Sequence, residues 1–311
     1  MTNLKNRKLV GMVLATSVGL AAGGATGAGA AQKTVTTIAG VPFVSYGTGY
    51  QTKLDFAQLD DKYPIPAEAL KKLMPQDLKK LDQEQLDQLY ARLSSGPIPD
   101  GKFDGTVYLP KGNPVNELGG YFDPTKLPLE LKGVYGKALT MALEGDAFKG
   151  FAEALWHGKH FYKSQSVLRN RMTADGLRSL SALGVSPALL STIKSPEIEL
   201  FPAKLYCGTS LADVRRESII IDYYASSTIE GYRKIPDVIA SGDGLAIRDE
   251  IRMVRPGFYL GKAYAQRAFL LTFALYNPEV AEKQLPIVAQ IQDECWSGNQ
   301  ERKSSLAKAS E

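Results

Sequence analysis

The sequence predicts an α+β protein: an antiparallel β-barrel or strongly curved sheet of about eight strands, preceded by a helical N-terminal segment and followed by a C-terminal helix. Three observations carry this. Leu78, Leu81, Leu86, Leu89, Tyr90 and Leu93 recur near a 3.6-residue period, the apolar stripe of a helix. After Pro99, runs rich in β-branched and aromatic residues, bounded by turn residues, mostly follow one another directly, so sequence neighbours are expected to pair antiparallel. Asn277-Pro278 supplies a cap and a first-turn proline, and Val280, Leu285, Val288, Ile291 and Cys295 give the helix that follows its apolar face.

Taken in order, residues 1–30 read as a signal peptide. Lys5, Arg7 and Lys8 precede an uncharged stretch from Leu9 to Ala31, and Ala28-Gly29-Ala30 offers the small residues that signal peptidase needs, with cleavage before Ala31 or one residue on. The mature protein is therefore expected to be exported, periplasmic or secreted. A retained anchor is disfavoured, because the stretch is richer in Ala and Gly than in Leu. Removing those three cations lowers the formal charge from +4 to +1, which argues against a general nucleic-acid binder.

Residues 31–98 form the helical N-terminal segment. Thr34–Ile38 is a strand candidate, Ala67–Met74 a short helix interrupted by Pro75, and the leucine-striped helix stops at Gly96-Pro97. The string Lys-Leu-Asp-x-x-Gln-Leu-Asp occurs at Lys53 and again at Lys80, too few copies for a solenoid. Residues 99–276 form the β-rich domain. Its strand candidates are Phe103–Leu109, Leu155–Tyr162, Val167–Met172, Ala203–Cys207, Glu217–Tyr224, Ile247–Val254, Phe258–Ala265 and Phe269–Tyr276, with helices around 135–154 and 174–183. Arg255-Pro256-Gly257 suits a type II turn, and a bulge or longer loop is expected there because plain two-residue hairpins prefer primed turns. Residues 277–311 are the C-terminal helix and a tail. Eight strands close a barrel just wide enough for side chains or one small ligand, with an open sheet or sandwich as the alternative.

Within the domain, Leu155-Trp156-His157-Gly158-Lys159-His160-Phe161, then Ile221-Asp222 and Asp249-Glu250-Ile251-Arg252-Met253-Val254, resembles the lipocalin-like domains of the bacterial GXWXG group. The likeness covers about residues 155–265. Phe103-Asp104-Gly105-Thr106 stands where the group's opening Gly-x-Trp-x-Gly would be. The resemblance implies a barrel that binds a hydrophobic ligand.

The candidate site residues follow from strand alternation. His157 and His160, three apart, fall on opposite faces unless the strand is bulged, which suits a two-His metal site poorly. One histidine facing a lumen could act as acid or base; a structural histidine is the plainer reading. Asp222 and Tyr224 share a face with Ile220. On the strand from Ile247, the set Ile247, Asp249, Ile251 and Met253 is expected inward, leaving Arg248, Glu250 and Arg252 as exposed cross-strand pairs worth under about 1 kcal/mol. Trp156, Phe161, Tyr206, Tyr224, Phe258 and Tyr264 are expected to line the pocket. Cys207 and Cys295 permit one disulfide in an oxidising compartment, tying the C-terminal helix to the barrel, with two buried thiols as the alternative.

Gly208-Thr209-Ser210-Leu211-Ala212 lacks the second glycine of a nucleophile elbow, residues 133–138 do not complete a P-loop, and no Cys-x-x-Cys occurs. No metal and no cofactor is expected. The expected function is an exported protein that binds a small hydrophobic or lipid-like molecule in a barrel covered by the helical segment. Peripheral membrane contact is left open, and no protein partner is inferable. The alternative is an isomerase, lyase or hydrolase of a lipid-like substrate, with His157 or His160 as base and Asp222 or Tyr224 as partner.

Overall fold

A computed structural model of the chain describes residues 34–45, 55–108, 155–174, 196–283 and Cys295. Eight strands close into an antiparallel barrel. They are β3 (Gly101–Tyr108), β4 (Trp156–Tyr162), β5 (Val167–Thr173), β6 (Glu197–Thr209), β7 (Glu217–Asp222), β8 (Ile247–Arg255), β9 (Phe258–Ala265) and β10 (Ala268–Tyr276). Each strand pairs with the next in sequence and β10 pairs with β3, so no edge is left unpaired. The barrel, rather than an open sheet or sandwich, is thus the architecture. The expected signal peptide, the helix expected around 135–154, that expected around 174–183 beyond Ala174, and the expected C-terminal tail lie outside the described residues. The C-terminal helix is described over α6 (Pro278–Glu282), capped by the Asn277 side chain accepting from the Val280 N–H.

β6 begins six residues before its expected start at Ala203. Pro202 lacks the N–H that a ladder needs and would ordinarily end a strand. A register shift between Leu168 and Asn170 of β5 absorbs it, with Phe201 at φ 51°. The Asp237 carboxylate, at the end of α5 (Lys234–Asp237), accepts from the Phe201 and Arg233 N–H groups at 2.7 Å each. At the β8–β9 hairpin, the register shifts between Met253 and Arg255 beside a turn in which Gly257 has φ 75°. The bulge expected there is present.

The N-terminal segment holds a hairpin of β1 (Val35–Ile38) and β2 (Val41–Val44), of which sequence reading caught only β1. Four short helices follow: α1 (Phe56–Lys62), α2 (Ala67–Lys72), α3 (Pro75–Leu78) and α4 (Gln83–Ala91). The twice-occurring string marks two of their starts: Asp55 caps α1 and Asp82 caps α4 through their side chains. These helices pack on the outside of the barrel. Leu78, Leu86, Leu89, Tyr90 and Leu93 join Val254, Phe258, Leu260 and Ala274 of the outer wall in one apolar cluster.

That placement corrects the reading of the charged face of β8. Glu250 and Arg252 have no exposed surface, and Lys262 opposite Glu250 on β9 is buried with them. Arg252 donates to Ser218 Oγ at 3.0 Å and to the carbonyls of Tyr90, Asp213 and Arg216. Glu250 accepts from Ser210 Oγ at 2.6 Å and the Leu211 N–H at 2.7 Å, and Lys262 pairs with Asp87 of α4. A face that reads as solvated from its charges is sealed, and those charges are met by Tyr90 and Asp87 of α4 together with Ser218 and the segment from Ser210 to Arg216. Among the described residues, no helix is long and apolar enough to cross a membrane.

The inward set on β8 is as expected, and the barrel has two halves. In one, Phe103, Phe161, Ile251, Met253, Tyr259 and Leu275 fill the lumen. Phe103 meets Phe161 and Tyr259 edge to face at 5.5 and 5.8 Å. Residues Ser94–Ile98 cross this end: the Met253 N–H donates to the Ser94 carbonyl, the Tyr259 hydroxyl to the Pro97 carbonyl, and Ile98 packs on the lumen cluster. Cys295 is joined to Cys207 with Cα atoms 5.5 Å apart, and its N–H donates to the Gly96 carbonyl.

Candidate functional site in the barrel lumen

The other half of the lumen holds a cavity of about 290 Å³. Its walls include Val107, Met172, Ile247, Leu271 and Phe273, with Ile239 and Ala240 from the segment joining β7 to β8. Trp156 and Phe273 meet edge to face across it at 5.7 Å. Two glycines seat these rings. A Cβ at Gly105 would lie 2.4 Å from the Trp156 ring, and one at Gly261 would lie 2.3 Å from the Phe273 ring.

One side of the cavity carries a polar cluster from three strands and the residue that follows β7. The Lys159 ammonium on β4 donates to Asp249 Oδ2 of β8 at 2.8 Å, to Asn170 Oδ1 of β5 at 3.0 Å and to the hydroxyl of Tyr223, just beyond β7, at 2.6 Å. Asn170 Nδ2 donates to the Tyr223 hydroxyl at 2.9 Å and the Phe201 carbonyl at 3.2 Å, and Trp156 Nε1 donates to Asn170 Oδ1. The Tyr223 hydroxyl in turn donates to Asp249 Oδ2 at 3.3 Å. The ammonium also lies 5.3 to 5.5 Å from the ring centroids of Trp156, Tyr223 and Phe273. Burial pulls the Lys159 amine below its usual range, and Asp249 opposes that pull. Burial, reinforced by the Asp249 carboxylate, holds the Tyr223 phenol far above its ordinary value.

Of the aromatics expected to line the pocket, Trp156 does so. Phe161 points inward but belongs to the filled half. Tyr206, Phe258 and Tyr264 point outward: Tyr206 donates to Asp222 at 2.9 Å, Phe258 lies under the N-terminal helices, and Tyr264 meets Phe269 edge to face at 5.9 Å. Tyr224 is 66% exposed. The reason is register. Met253 pairs with Tyr259 and Asp249 with Ala263, so the inward residues of β9 are Tyr259, Gly261 and Ala263. Ile219 pairs with Ile251 and Cys207 with Ile219, so Tyr206 and Asp222 face out.

The histidines are also outside the lumen, and on the same face. The register slips between Trp156 and Gly158, where Gly158 has φ 140° and a Cβ would meet the Phe103 carbonyl oxygen at 2.0 Å. The extra residue turns His157 to the side of His160. His157 Nδ1 pairs with Glu197 at 2.8 Å and His160 Nδ1 with Glu199 at 2.6 Å, while Arg171 bridges Asp104 and Glu197. Partial burial raises the Glu197 carboxyl, but hydrogen bonds from Arg171, His157 and Lys102 outweigh it and hold the group down at about 2. Asp222 is engaged by Tyr206 and the Tyr224 N–H, so neither histidine has it as a partner. The His/Asp acid–base pair is not assembled. No metal-ligating cluster occurs among the described residues.

Sequence reasoning passed over Lys159, Asn170 and Tyr223. A signal was present: Asp249 is the one acid on the inward face of β8, and a buried carboxylate requires a cation. Alternation from inward Phe161 puts Lys159 on the same side. Comparison of the chain with protein-family models, with curated proteins and with solved structures finds no match.

Proposed function

We propose that this chain is an exported carrier of one small apolar molecule, held in the lumen of a lipocalin-like barrel. The observation that carries the reading is the cavity of about 290 Å³ between Trp156, Phe273 and Ile247. Interiors are otherwise packed without voids of this size, and the volume is near the lower end of small-molecule pockets. The Cys207–Cys295 disulfide supports an oxidising compartment, in keeping with the signal-like N-terminus. A lipid fragment, a short-chain ketone or an aromatic hydrocarbon suits these walls.

Native mass spectrometry of the protein recovered from its exporting host should show a bound small molecule that is lost on denaturation. The neutral dye N-phenyl-1-naphthylamine should bind with enhanced fluorescence, and Ala263→Leu, which fills the cavity from β9, should abolish that signal while the fold is retained. A dye signal unchanged by Ala263→Leu would place binding elsewhere and sink the proposal.

A further inference from the structure

The polar cluster of the cavity is saturated and carries no net charge. Among the described residues lining it, Lys159 and Asp249 are the charged ones, with opposite signs, and their side chains are only 3% and 7% exposed. An ammonium has three N–H groups, and Asp249, Asn170 and Tyr223 take all three. Both Asn170 N–H groups, the Trp156 N–H and the Tyr223 O–H are likewise engaged inside the cluster or by the Phe201 carbonyl. An entering carboxylate would meet no free donor in this cluster of described residues and would add a second anion beside its single buried cation. Its lost hydration would go uncompensated. A ketone, ester or hydrocarbon, with no charge to desolvate, suffers much less.

We infer that the cavity selects uncharged apolar ligands against carboxylates of the same chain length, and that Asp249 sets this selectivity by occupying Lys159. Asp249 is therefore a specificity-determining residue. Without its charge, the Lys159 ammonium loses the group that balances it, and an entering carboxylate is then the group that can restore the pair, the arrangement that captures an anionic head group. This inference rests on the lumen being the binding site.

The test displaces N-phenyl-1-naphthylamine from the full chain with octan-2-one and with octanoate at pH 8. The wild type should bind the ketone at least about tenfold more tightly than the acid. Asp249→Asn keeps the shape and an acceptor for Lys159, and should shift the ratio of the two affinities at least about tenfold toward octanoate. The double variant Lys159→Met/Asp249→Leu replaces the pair by apolar groups and should bind the ketone and reject the acid, as the wild type does. Equal binding of ketone and acid by the wild type overturns the inference, as does an Asp249→Asn protein with unaltered preference. Should Asp249→Asn not fold, the wild-type ratio and the double variant decide the matter. Failure of dye and ketone alike to bind the wild type refutes the carrier reading itself, a different result from loss of selectivity.

Discussion

The Arg252 guanidinium donates to the Tyr90 carbonyl at 3.1 Å and lies 4.6 Å from the centroid of the Tyr90 ring, so one side chain of the barrel wall grips both the backbone and the ring of one residue in α4. Arg252→Ala would leave Ser218, three carbonyls and the nearby Asp213 carboxylate without this partner in a buried setting. The expected loss is about 3–5 kcal/mol, comparable with the roughly 2–5 kcal/mol expected for Ile251→Ala in the lumen. Arg252→Lys should recover only part of it, because an ammonium cannot span the same fork of acceptors. Urea denaturation of the three variants checks this; a loss below about 1 kcal/mol for Arg252→Ala would mean that α4 does not depend on the grip.

Neighbours on β8 thus carry opposite lessons about legibility. Ile251 inward follows from alternation alone, and so do the eight strands, since Gly, Pro and Asn turns punctuate runs of β-branched and aromatic residues. The burial of Arg252 does not follow, because its partners Tyr90, Ser218 and Asp213 come from distant parts of the chain. The site was half legible. Trp156 borders the cavity, whereas Phe258 and Tyr264 face out for a reason that counting along the hairpin does not reveal. Counted from the Arg255–Phe258 pair at the turn, Asp249 would stand opposite Tyr264, and the bulge between Met253 and Arg255 moves its partner to Ala263. The histidines were misplaced by a bulge at Gly158 that period-two counting cannot anticipate.

The Cys207–Cys295 bond closes a loop of sequence separation 88. In the chain-entropy account this contributes roughly 4.6 kcal/mol. Cys207→Ser/Cys295→Ser should lose about that much and should also loosen Ser94–Ile98, since Ser95 Oγ donates to the Cys295 carbonyl at 2.8 Å. Thiol titration of the unfolded, unreduced chain should find no free thiol. Two free thiols would remove the bond from the account.

Acid should weaken the outer wall of β4–β6 in a defined window. Glu197 is held at about 2, below its ordinary 4.5, so between those values the unfolded chain binds more protons than the folded one and stability rises with pH. This contribution is complete above about 4.5 and is lost as pH falls toward about 2. Glu197→Gln should flatten the acid limb of a stability profile in that interval. Parallel profiles for wild type and variant would show that the Arg171–Glu197 contact carries no linkage.

Filled lumen and empty lumen meet within one strand. Gly261 and Ala263 both face inward on β9, opposite Ile251 and Asp249 of β8. A methyl group at Gly261 would overlap the Phe273 ring, which packs on Trp156 and sits 5.4 Å from the Lys159 ammonium, so displacing it disturbs the whole cluster. Gly261→Ala is therefore expected to destabilise by about 1–3 kcal/mol, as overpacking does. Ala263 borders the cavity instead, and Ala263→Leu adds carbon atoms into open volume, a change expected to be neutral or stabilising by up to about 2 kcal/mol. The larger substitution should thus be the milder one, the reverse of what side-chain size predicts for a uniformly packed interior. Chemical denaturation of both variants measures the contrast; a loss for Ala263→Leu equal to that for Gly261→Ala would mean that the space before Ala263 is not free, and the cavity could not serve as the ligand site.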